Sequence, residues 1–399
     1  MSGLRHSFYM VKLLLLLPLR LWLPGLLLVS SAQVFSQGPA VQSDKHAFRV
    51  VTLVRGLENP WSLAFLPDGR MLITERAGRL RLVGNDLRLD PQAVEGLPKI
   101  VARGQGGLFD VALHPNYAQN GWIYWAYNAP GPGGWGTALA RGKLMGHRMT
   151  QVQVLFSMLP KTRTGQHFGG RIVFDASGLV YLTLGDRGDM ARAQQPGDHA
   201  GAVIRLHDDG RVPQDNPFLA QAGARPEKWS LGHRNIQGAA LHPQTGQLWT
   251  HEHGPQGGDE VNVVRAGRNY GWPVITYGAN YGSGSSIGEG RAKPGLEQPI
   301  HLWTPSIAPS GMTFVSGNSF PRWRGDLLVG ALRGQMLVRL ELAGEKVVRE
   351  ERLLTDKIGR IRDVRSGPEG FIYVLTDEPQ GALLRLEGLT DLAPVKRTP

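Results

Sequence analysis

A strand–turn–strand pattern that returns six times along the chain constrains the fold more than any other feature of the sequence. In each copy, two short runs of apolar, β-forming residues flank a turn such as Asp-Gly, Ser-Gly, Thr-Gly or Glu-Gly, which is a hairpin signal. The copies occupy residues 61–75, 108–127, 171–186, 237–251, 311–332 and 361–376. Several are followed by a further short strand, for example residues 78–83 and 382–386. Repetition with three or four strands per unit indicates a β-propeller, and six copies predict six blades.

The predicted fold class is therefore all-β, a six-bladed β-propeller over residues 46–390 with a ligand site at one end of the central channel. No comparable helical periodicity is present, which argues against an α/β fold. The 399 residues also exceed the usual size of a single core, as a repeat architecture allows. The spacing widens around the fourth and fifth copies, which predicts long loops on one face, where propellers bind ligands.

The first residues, 1–36, resemble a secretory signal peptide followed by a linker. Basic residues precede an apolar run over residues 13–29, and small residues at 30–32 suit a cleavage site. Arg20 and two prolines interrupt the run, which argues against a stable membrane span, while an uncleaved anchor stays open as an alternative. We therefore expect a mature protein that is exported to the periplasm.

Composition excludes some classes of site and partner. The chain contains no cysteine, so it has neither disulfides nor thiolate metal ligands. Its formal charge of +11 could favour nucleic acid, anionic lipid or an anionic small ligand. No nucleic-acid motif is present, and the basic residues are spread along the chain, so we expect ordinary surface charge and no nucleic-acid partner.

The loop-forming stretch over residues 251–272 combines acids and an asparagine with several glycines and a proline. Glu252, Asp259, Glu260 and Asn262 supply side-chain oxygens, and the glycines favour turns with outward carbonyls. Oxygen-rich loops without thiols suit a hard cation such as calcium. The alternative for an arbitrary loop of this composition is a polar surface segment.

Other unusual polar residues fall just before a repeat or at a strand end, outside the hairpins. They are Gln105, His167, Arg234, Asn235, Arg333, Arg360 and Arg362. In a propeller such positions converge on one end of the central channel, so residues distant in sequence meet there.

Each of these residues also has a structural interpretation. A single histidine such as His167 is more often hydrogen-bonded for structure, and Arg360 and Arg362 alternate with Ile361 as strand residues with one exposed face would. Four arginines around one channel mouth, however, would repel one another unless an anion lay between them. Guanidinium groups suit carboxylates. The pattern indicates a multiply carboxylated ligand beside a cation, with a histidine nearby as a base.

Several motifs, in order, resemble those of the soluble aldose sugar dehydrogenases, quinoproteins related to soluble glucose dehydrogenase that use pyrroloquinoline quinone (PQQ) and calcium. The resemblance covers residues 48–389. Its motifs are Gly-Gln-Gly-Gly-Leu at 104–108, Gln-His-Phe-Gly-Gly-Arg at 166–171, Gly-His-Arg-Asn at 232–235, Glu-His-Gly-Pro-Gln-Gly-Gly-Asp-Glu-Val-Asn at 252–262, Asn-Tyr-Gly-Trp-Pro at 269–273 and Ser-Ile-Ala-Pro-Ser-Gly-Met at 306–312.

This resemblance implies oxidation of an aldose at C1 to the lactone, with His167 as the general base while hydride passes to the quinone. The cofactor contacts that it implies are Gln105, Arg234, Asn235, Tyr281, Arg333, Arg360 and Arg362. Carbonyls of Gly254 and Pro255 would hold the calcium that polarises the quinone. Glu260 and the carbonyl of Tyr270 would belong to a second, structural calcium site. The implied partners are an aldose and an external electron acceptor, and the protein would be a monomer or homodimer.

Two positions depart from the glucose dehydrogenase branch. Gln166 stands where that branch has an acid, and Arg333 where it has a lysine, which favours the aldose dehydrogenase branch and leaves the preferred sugar open. Two other functions remain alternatives, since fold alone does not determine function. One is a calcium-dependent hydrolase, which would need side-chain oxygens at the channel centre and against which the arginines argue. The other is a non-catalytic carbohydrate- or protein-binding propeller.

Overall fold

Six antiparallel sheets follow one another along the chain in the computed structural model, which describes residues 38–389 together with residues 3, 4 and 7. The predicted signal and linker, residues 1–36, lie outside the described residues apart from those three positions, as does residue 390. None of the helices in the described part of the chain is long and apolar enough to cross a bilayer.

Strands make up nearly all of the regular structure. In chain order they are β1 (Val41–Gln42), β2 (Ala47–Leu57), β3 (Pro60–Phe65), β4 (Met71–Glu75), β5 (Arg79–Val83), β6 (Leu108–Leu113), β7 (Trp122–Gly131), β8 (Gly134–Met145), β9 (Arg148–Ser157), β10 (Ile172–Phe174), β11 (Val180–Thr183), β12 (Ala202–Leu206), β13 (Lys228–Leu231), β14 (Ile236–Leu241), β15 (Leu248–Glu252), β16 (Asp259–Val264), β17 (His301–Trp303), β18 (Pro309–Phe314), β19 (Leu327–Ala331), β20 (Met336–Ala343), β21 (Lys346–Leu353), β22 (Ile361–Ser366), β23 (Ile372–Thr376) and β24 (Gly381–Leu389). The helices are α1 (Tyr117–Asn120) and two 3₁₀ helices, Met190–Gln194 and Pro321–Trp323.

Each sheet is one blade, which confirms the predicted six-bladed propeller. Blade one has three strands, β3–β5, and blades two to five have four each, namely β6–β9, β10–β13, β14–β17 and β18–β21. Blade six contains β22–β24, and β2 and β1 extend it at the edge of β24. Val50 of β2 lies opposite Leu386 of β24, so strands from near the two ends of the described chain close the ring.

The first strand of each blade lines the central channel. These strands, β3, β6, β10, β14, β18 and β22, contact one another in a closed cycle. Because neighbouring strands in a blade are antiparallel, the amino ends of the first strands and the carboxyl ends of the second strands meet at the same end of the channel. We call this the site end.

Apolar packing between the faces of adjacent blades holds the ring together. One cluster of buried apolar side chains lies at each of the six blade interfaces. Between blades four and five, for example, the rings of Trp249 and Phe314 are 5.5 Å apart. The inner strand β4 is buried throughout, whereas β9 and β21 at the outer edges expose many of their residues. Burial of each large apolar side chain is worth about 1.5–3 kcal/mol, so this face-to-face packing is the main stabilising contribution.

One long insertion shapes the site end. Residues 265–300 connect β16 to β17 within blade four, as the widened spacing before the fifth copy predicts. The segment runs beside β13, where Asn269 forms a bridge with Leu231, and its Trp272 packs with Ala193 and Ile287. It thereby adds an extra wall to one side of the site end.

Candidate active site at the end of the channel

A first cavity of about 580 Å³ occupies the site end of the channel. All six blades contribute to it, each at the amino end of its innermost strand. Its lining includes Trp61, Gln105, Phe168, Asn235, Ala308 and Arg362, in the order of blades one to six. A cavity of this volume suits a small-molecule ligand. The structure thus brings Gln105, Asn235, Arg360 and Arg362 together at one end of the channel.

A second cavity of about 400 Å³ adjoins the first, because Gln105 lines both. Loops of blades two to four and the 265–300 segment form its walls. The lining includes Gln166, His167, Asp186, Arg234, Pro255, Trp272 and Tyr281. A ligand in the first cavity and a substrate beside His167 would therefore be neighbours.

The imidazole of His167 is held by a buried carboxylate. Its Nδ1 lies 2.6 Å from Oδ1 of Asp186, and the other oxygen of Asp186 accepts a hydrogen bond from the indole of Trp272 at 2.9 Å. The backbone N–H of His167 donates to Oε1 of Gln105 at 2.9 Å. The backbone of His167 is in the left-handed region, with φ of 51°, and Gly185 permits the close approach of its carbonyl.

The charge state of Asp186 decides which imidazole nitrogen is free. Burial acts to raise the pKa of Asp186, but hydrogen bonds and charge from His167, aided by the Gly188 N–H and Trp272, outweigh burial and lower that pKa. An ionised carboxylate only accepts hydrogen bonds, so Nδ1 of His167 carries the proton. Nε2 is then left as an acceptor, which is the form that a general base requires.

Two of the predicted arginines share one carboxylate. Arg360 and Arg362 both lie within 3.0 Å of Oδ2 of Asp377, a residue after β23 whose side chain is 9% exposed. Burial acts to raise the pKa of Asp377, and the two guanidinium groups outweigh it and lower that pKa. Nε of Arg362 is buried and lacks a partner among the described residues. The first cavity thus retains cationic character and an unused buried donor, which fits an anionic ligand.

Arg234 and Asn235 face different cavities. Arg234 lines the second cavity, donates to the carbonyl of His253 at 3.1 Å and lies 5.4 Å from the ring centroid of Trp272. Asn235 lines the first cavity, and its Oδ1 accepts from the N–H of Gly169 at 3.3 Å. The sequence placed both at the channel mouth, and the structure divides them between the two adjoining spaces.

Two other predicted contacts lie farther from the centre. Tyr281 is on the rim of the second cavity and 69% exposed. Arg333 is exposed, and its side chain makes no hydrogen bond or ion pair within residues 38–389. Its neighbour Leu332 lines the first cavity, whereas Arg333 itself lines neither.

A third, much smaller cavity of about 10 Å³ lies behind the second. Its lining includes Arg234, Glu252, Gly254, Gly258, Glu260 and Tyr270. This volume holds one water-sized species. Gly254 lines this small cavity, whereas the next residue, Pro255, lines the cavity of His167. Two residues predicted to bind one calcium ion therefore border two different spaces.

A buried carboxylate and a half-buried one meet at the small cavity. Glu252 and Glu260 are directly opposite each other on β15 and β16, and Nδ2 of Asn262 donates to both. Burial, followed by the charge of Glu252, raises the pKa of Glu260. Oδ1 of Asn262 is buried without a partner among the described residues. A single hard cation would offset the repulsion between the carboxylates, so the donor set fits calcium.

Side chains alone do not complete a metal site. Within the described part of the chain, no three His, Cys, Asp or Glu side chains form a group that could hold a metal ion. Asp259, the third acid of the stretch, is engaged elsewhere. Its carboxylate accepts the N–H groups of Gly254, Ile307 and Ala308. A cation here would depend on backbone carbonyls as well, which glycine-rich turns can supply.

Sequence reasoning missed the acids that act on the predicted residues. Asp186 and Asp377 follow β11 and β23, the second strands of blades three and six. Since those strand ends lie at the site end, an acid immediately after the second strand of a repeat is the signal that would have identified them.

Comparisons with known proteins agree with this architecture. The sequence profile described as Glucose / Sorbosone dehydrogenase matches residues 57–385. The chain is 45% identical to the aldose sugar dehydrogenase YliI of Escherichia coli K12 over 338 residues, which cover 83% of this chain and 90% of that protein.

Solved structures give the same result. The apo-form crystal structure of the soluble aldose sugar dehydrogenase of Escherichia coli superposes with a TM-score of 0.83 at 44% identity, covering 86% of this chain and all of that one. The PQQ-bound aldose sugar dehydrogenase of Streptomyces coelicolor has a TM-score of 0.72 at 27% identity, covering 88% of this chain and all of that one.

Proposed function

Because the chain belongs to the glucose/sorbosone dehydrogenase family, we propose that it oxidises aldose sugars at C1 to the lactone, with PQQ as cofactor and calcium as metal. The family membership makes it an oxidoreductase that acts on sugar CH–OH groups. One observation carries the finer proposal. The His167–Asp186 pair lies in a cavity that adjoins an arginine-lined cavity through Gln105.

The first cavity suits PQQ in volume, charge and chemistry. Its arginines and the unpartnered Nε of Arg362 match a ligand with several carboxylates. Gln105, Asn235, Arg360 and Arg362, which line this cavity, would hold the cofactor. Arg234 and Tyr281 of the adjoining cavity, and Arg333 next to Leu332, would complete the set. When bound, PQQ supplies an ortho-quinone that accepts a hydride from C1 of the sugar. Asp377 would hold Arg360 and Arg362 in place before the cofactor arrives.

His167 would remove the proton of the C1 hydroxyl. With Nδ1 donating to Asp186, Nε2 accepts that proton, and the carboxylate stabilises the imidazolium that forms. Carboxylate–histidine pairs of other enzymes work in the same way. The acid orients the imidazole ring and does not itself take up the proton. The second cavity, which Gln166 and Trp272 also line, would hold the sugar.

Calcium would occupy two positions. Carbonyl oxygens of Gly254 and Pro255 would hold an ion near the cofactor, where a cation favours hydride acceptance by polarising the quinone. Glu260 and the carbonyl of Tyr270 would hold a structural ion at the small cavity, with Glu252 nearby.

The remaining parts of the proposal concern partners and location. Electrons pass from the reduced enzyme to an external acceptor, and no nucleic acid takes part. We propose that the protein works in the periplasm after export, as a monomer or homodimer, on the basis of the signal-like residues 1–36.

Dye-linked glucose oxidation by the purified protein tests the proposal. The assay would be run with PQQ and calcium together, and with each omitted after treatment with a chelator. We expect activity only when both are present, and a panel of aldoses would then rank substrates. The proposal would be rejected if no aldose were oxidised and PQQ caused no spectral change. The calcium-dependent hydrolase and the non-catalytic binding propeller would then be the remaining candidates.

A further inference from the structure

Blade two and its flanking loops carry a large share of the net positive charge of the chain, which is +11. Residues 96–174 contain eight lysines and arginines and a single acid, Asp110. That acid does not offset the surface charge. It is buried in the channel, where it lies 2.6 Å from Arg365 of blade six. Three of the eight pair with acids from outside this range, Arg141 with Asp208, Arg148 with Glu95 and Arg171 with Asp363. The other five, Lys99, Arg103, Lys143, Lys161 and Arg163, form no ion pair within the described residues.

At the site end, this charge concentrates where two loops touch. The N–H of Gln105 donates to the carbonyl of Gly165 at 2.7 Å, and a Cβ on Gly104 would collide with the same carbonyl. Arg103 lies two residues before Gln105 and Arg163 two residues before Gly165, so both arginines are next to this contact between the loops. Nη1 of Arg76, from blade one, donates to the carbonyl of Gly104 at 2.6 Å and joins them. We name Arg76, Arg103 and Arg163 the basic rim.

No carboxylate neutralises the basic rim. None of its three arginines forms an ion pair within the described residues, and Arg103 and Arg163 are exposed. Some other surface arginines are neutralised by neighbouring carboxylates. Arg79, close to Arg76 in sequence, pairs with both Glu75 and Glu58. Unpaired positive charges at one place produce a local field that attracts anions from solution.

The basic rim also borders the reaction site. Arg76, Gly104 and Gln105 line the first cavity, and Gln105 lines the second as well. The guanidinium of Arg103 lies 5.3 Å from the ring centroid of Trp135, which is half-buried. Arginine and tryptophan together are typical of protein contact surfaces. Anything held at the rim would be adjacent to the place where electrons leave the sugar.

We propose that the basic rim is the docking surface for a negatively charged one-electron acceptor. This inference rests on the proposed dehydrogenase function. Each aldose converted to lactone releases two electrons and two protons, so two acceptor molecules are reduced per turnover. Attraction by the rim raises the rate of each encounter, and salt weakens it, since the Debye length is about 10 Å at 0.1 M ionic strength.

The test compares two acceptors of opposite charge in the PQQ- and calcium-loaded enzyme at saturating glucose. Ferricyanide is a trivalent anion, and phenazine methosulfate is a cation. For the double variant Arg103→Glu/Arg163→Glu at low salt, we expect kcat/KM for ferricyanide to fall about tenfold or more and that for phenazine methosulfate to be unchanged or to rise. The neutral variant Arg103→Gln/Arg163→Gln should lie between, and salt should reduce the ferricyanide rate of the wild type.

Lys346→Glu is the matched control. Lys346 is exposed and begins β21 after the β20–β21 turn, at the end of the propeller opposite the site. It should leave both acceptor rates unchanged, and melting curves would show that all variants are folded. An equal loss with both acceptors, or a ferricyanide rate that the double variant leaves intact, would overturn the inference. Failure of the dehydrogenase proposal is distinguishable, because the wild type would then reduce neither acceptor.

Discussion

Oδ1 of Asp186 lies 2.6 Å from Nδ1 of His167, and the same carboxylate binds the indole of Trp272 at 2.9 Å. Asp186 follows the second strand of blade three, whereas Trp272 belongs to the 265–300 insertion of blade four. Two separate blades thus position one imidazole.

His167→Ala should reduce kcat by orders of magnitude, because the variant loses the imidazole that would take the proton of the C1 hydroxyl in the second cavity. Binding of PQQ, followed by its absorbance or by fluorescence quenching, should persist. Near-normal turnover would remove His167 from the mechanism.

Asp186→Asn should lower kcat by about 10- to 100-fold, because the amide keeps the side-chain volume but no longer stabilises the imidazolium. Affinity for PQQ should stay the same, since Asp186 does not line the first cavity. Melting curves would show that the variant is folded. A kcat close to that of the wild type would argue that Asp186 is only structural.

Arg362→Gln should weaken PQQ binding by about 10- to 100-fold, as expected when a charged hydrogen-bond donor is lost. Asp377→Asn is the counterpart, because it removes the carboxylate that Arg360 and Arg362 share. That change raises the positive charge of the first cavity, so PQQ affinity should not fall. Equilibrium titration of apoenzyme with PQQ measures both, and equal losses in the two variants would contradict the assignment.

Glu260→Gln should abolish the stabilisation that calcium gives to the folded protein. In wild-type protein, calcium at about 100 times its dissociation constant would add about 2.7 kcal/mol, a shift of a few degrees in Tm. With chelator present, the variant should be as stable as the wild type or more so, because the repulsion between Glu252 and Glu260 is gone. Identical calcium-dependent shifts in both proteins would exclude a structural metal at Glu260.

Glu350 should make the fold sensitive to acid. It joins blades five and four through His301 and Trp303, at 2.8 and 3.1 Å. Burial acts to raise the pKa of Glu350, but His301 and Arg352 outweigh it and lower that pKa to about 2. Its stabilising effect is therefore complete above the unfolded-state pKa and is lost as pH falls from about 4.5 towards 2.

In Glu350→Gln the free energy of unfolding at neutral pH should fall by about 1–3 kcal/mol, and the difference from wild type should shrink below pH 4. Denaturant unfolding at several pH values measures this. Glu345→Gln is the control, because Glu345 forms a more exposed pair with Arg265 between the same two blades. Its loss should cost less than about 1 kcal/mol.

The sequence by itself determined the blades. Alternating apolar runs around short turns are local patterns, and each copy forms a hairpin whichever neighbours it meets. The same patterns located Gln105, His167, Asn235 and Arg362, because their positions just before or at the start of innermost strands specify one end of the channel.

Only the tertiary structure decided which side chains meet at that end. Asp377 lies between Arg360 and Arg362, Asp186 holds His167, and Asp259 binds a loop instead of facing the small cavity. Arg333 ends outside both large cavities although it follows the second strand of blade five, whose carboxyl end lies at the site end. Side-chain direction depends on how blades pack and on where the 265–300 segment crosses them. Those contacts join residues tens to hundreds of positions apart, so local sequence pattern carries no record of them.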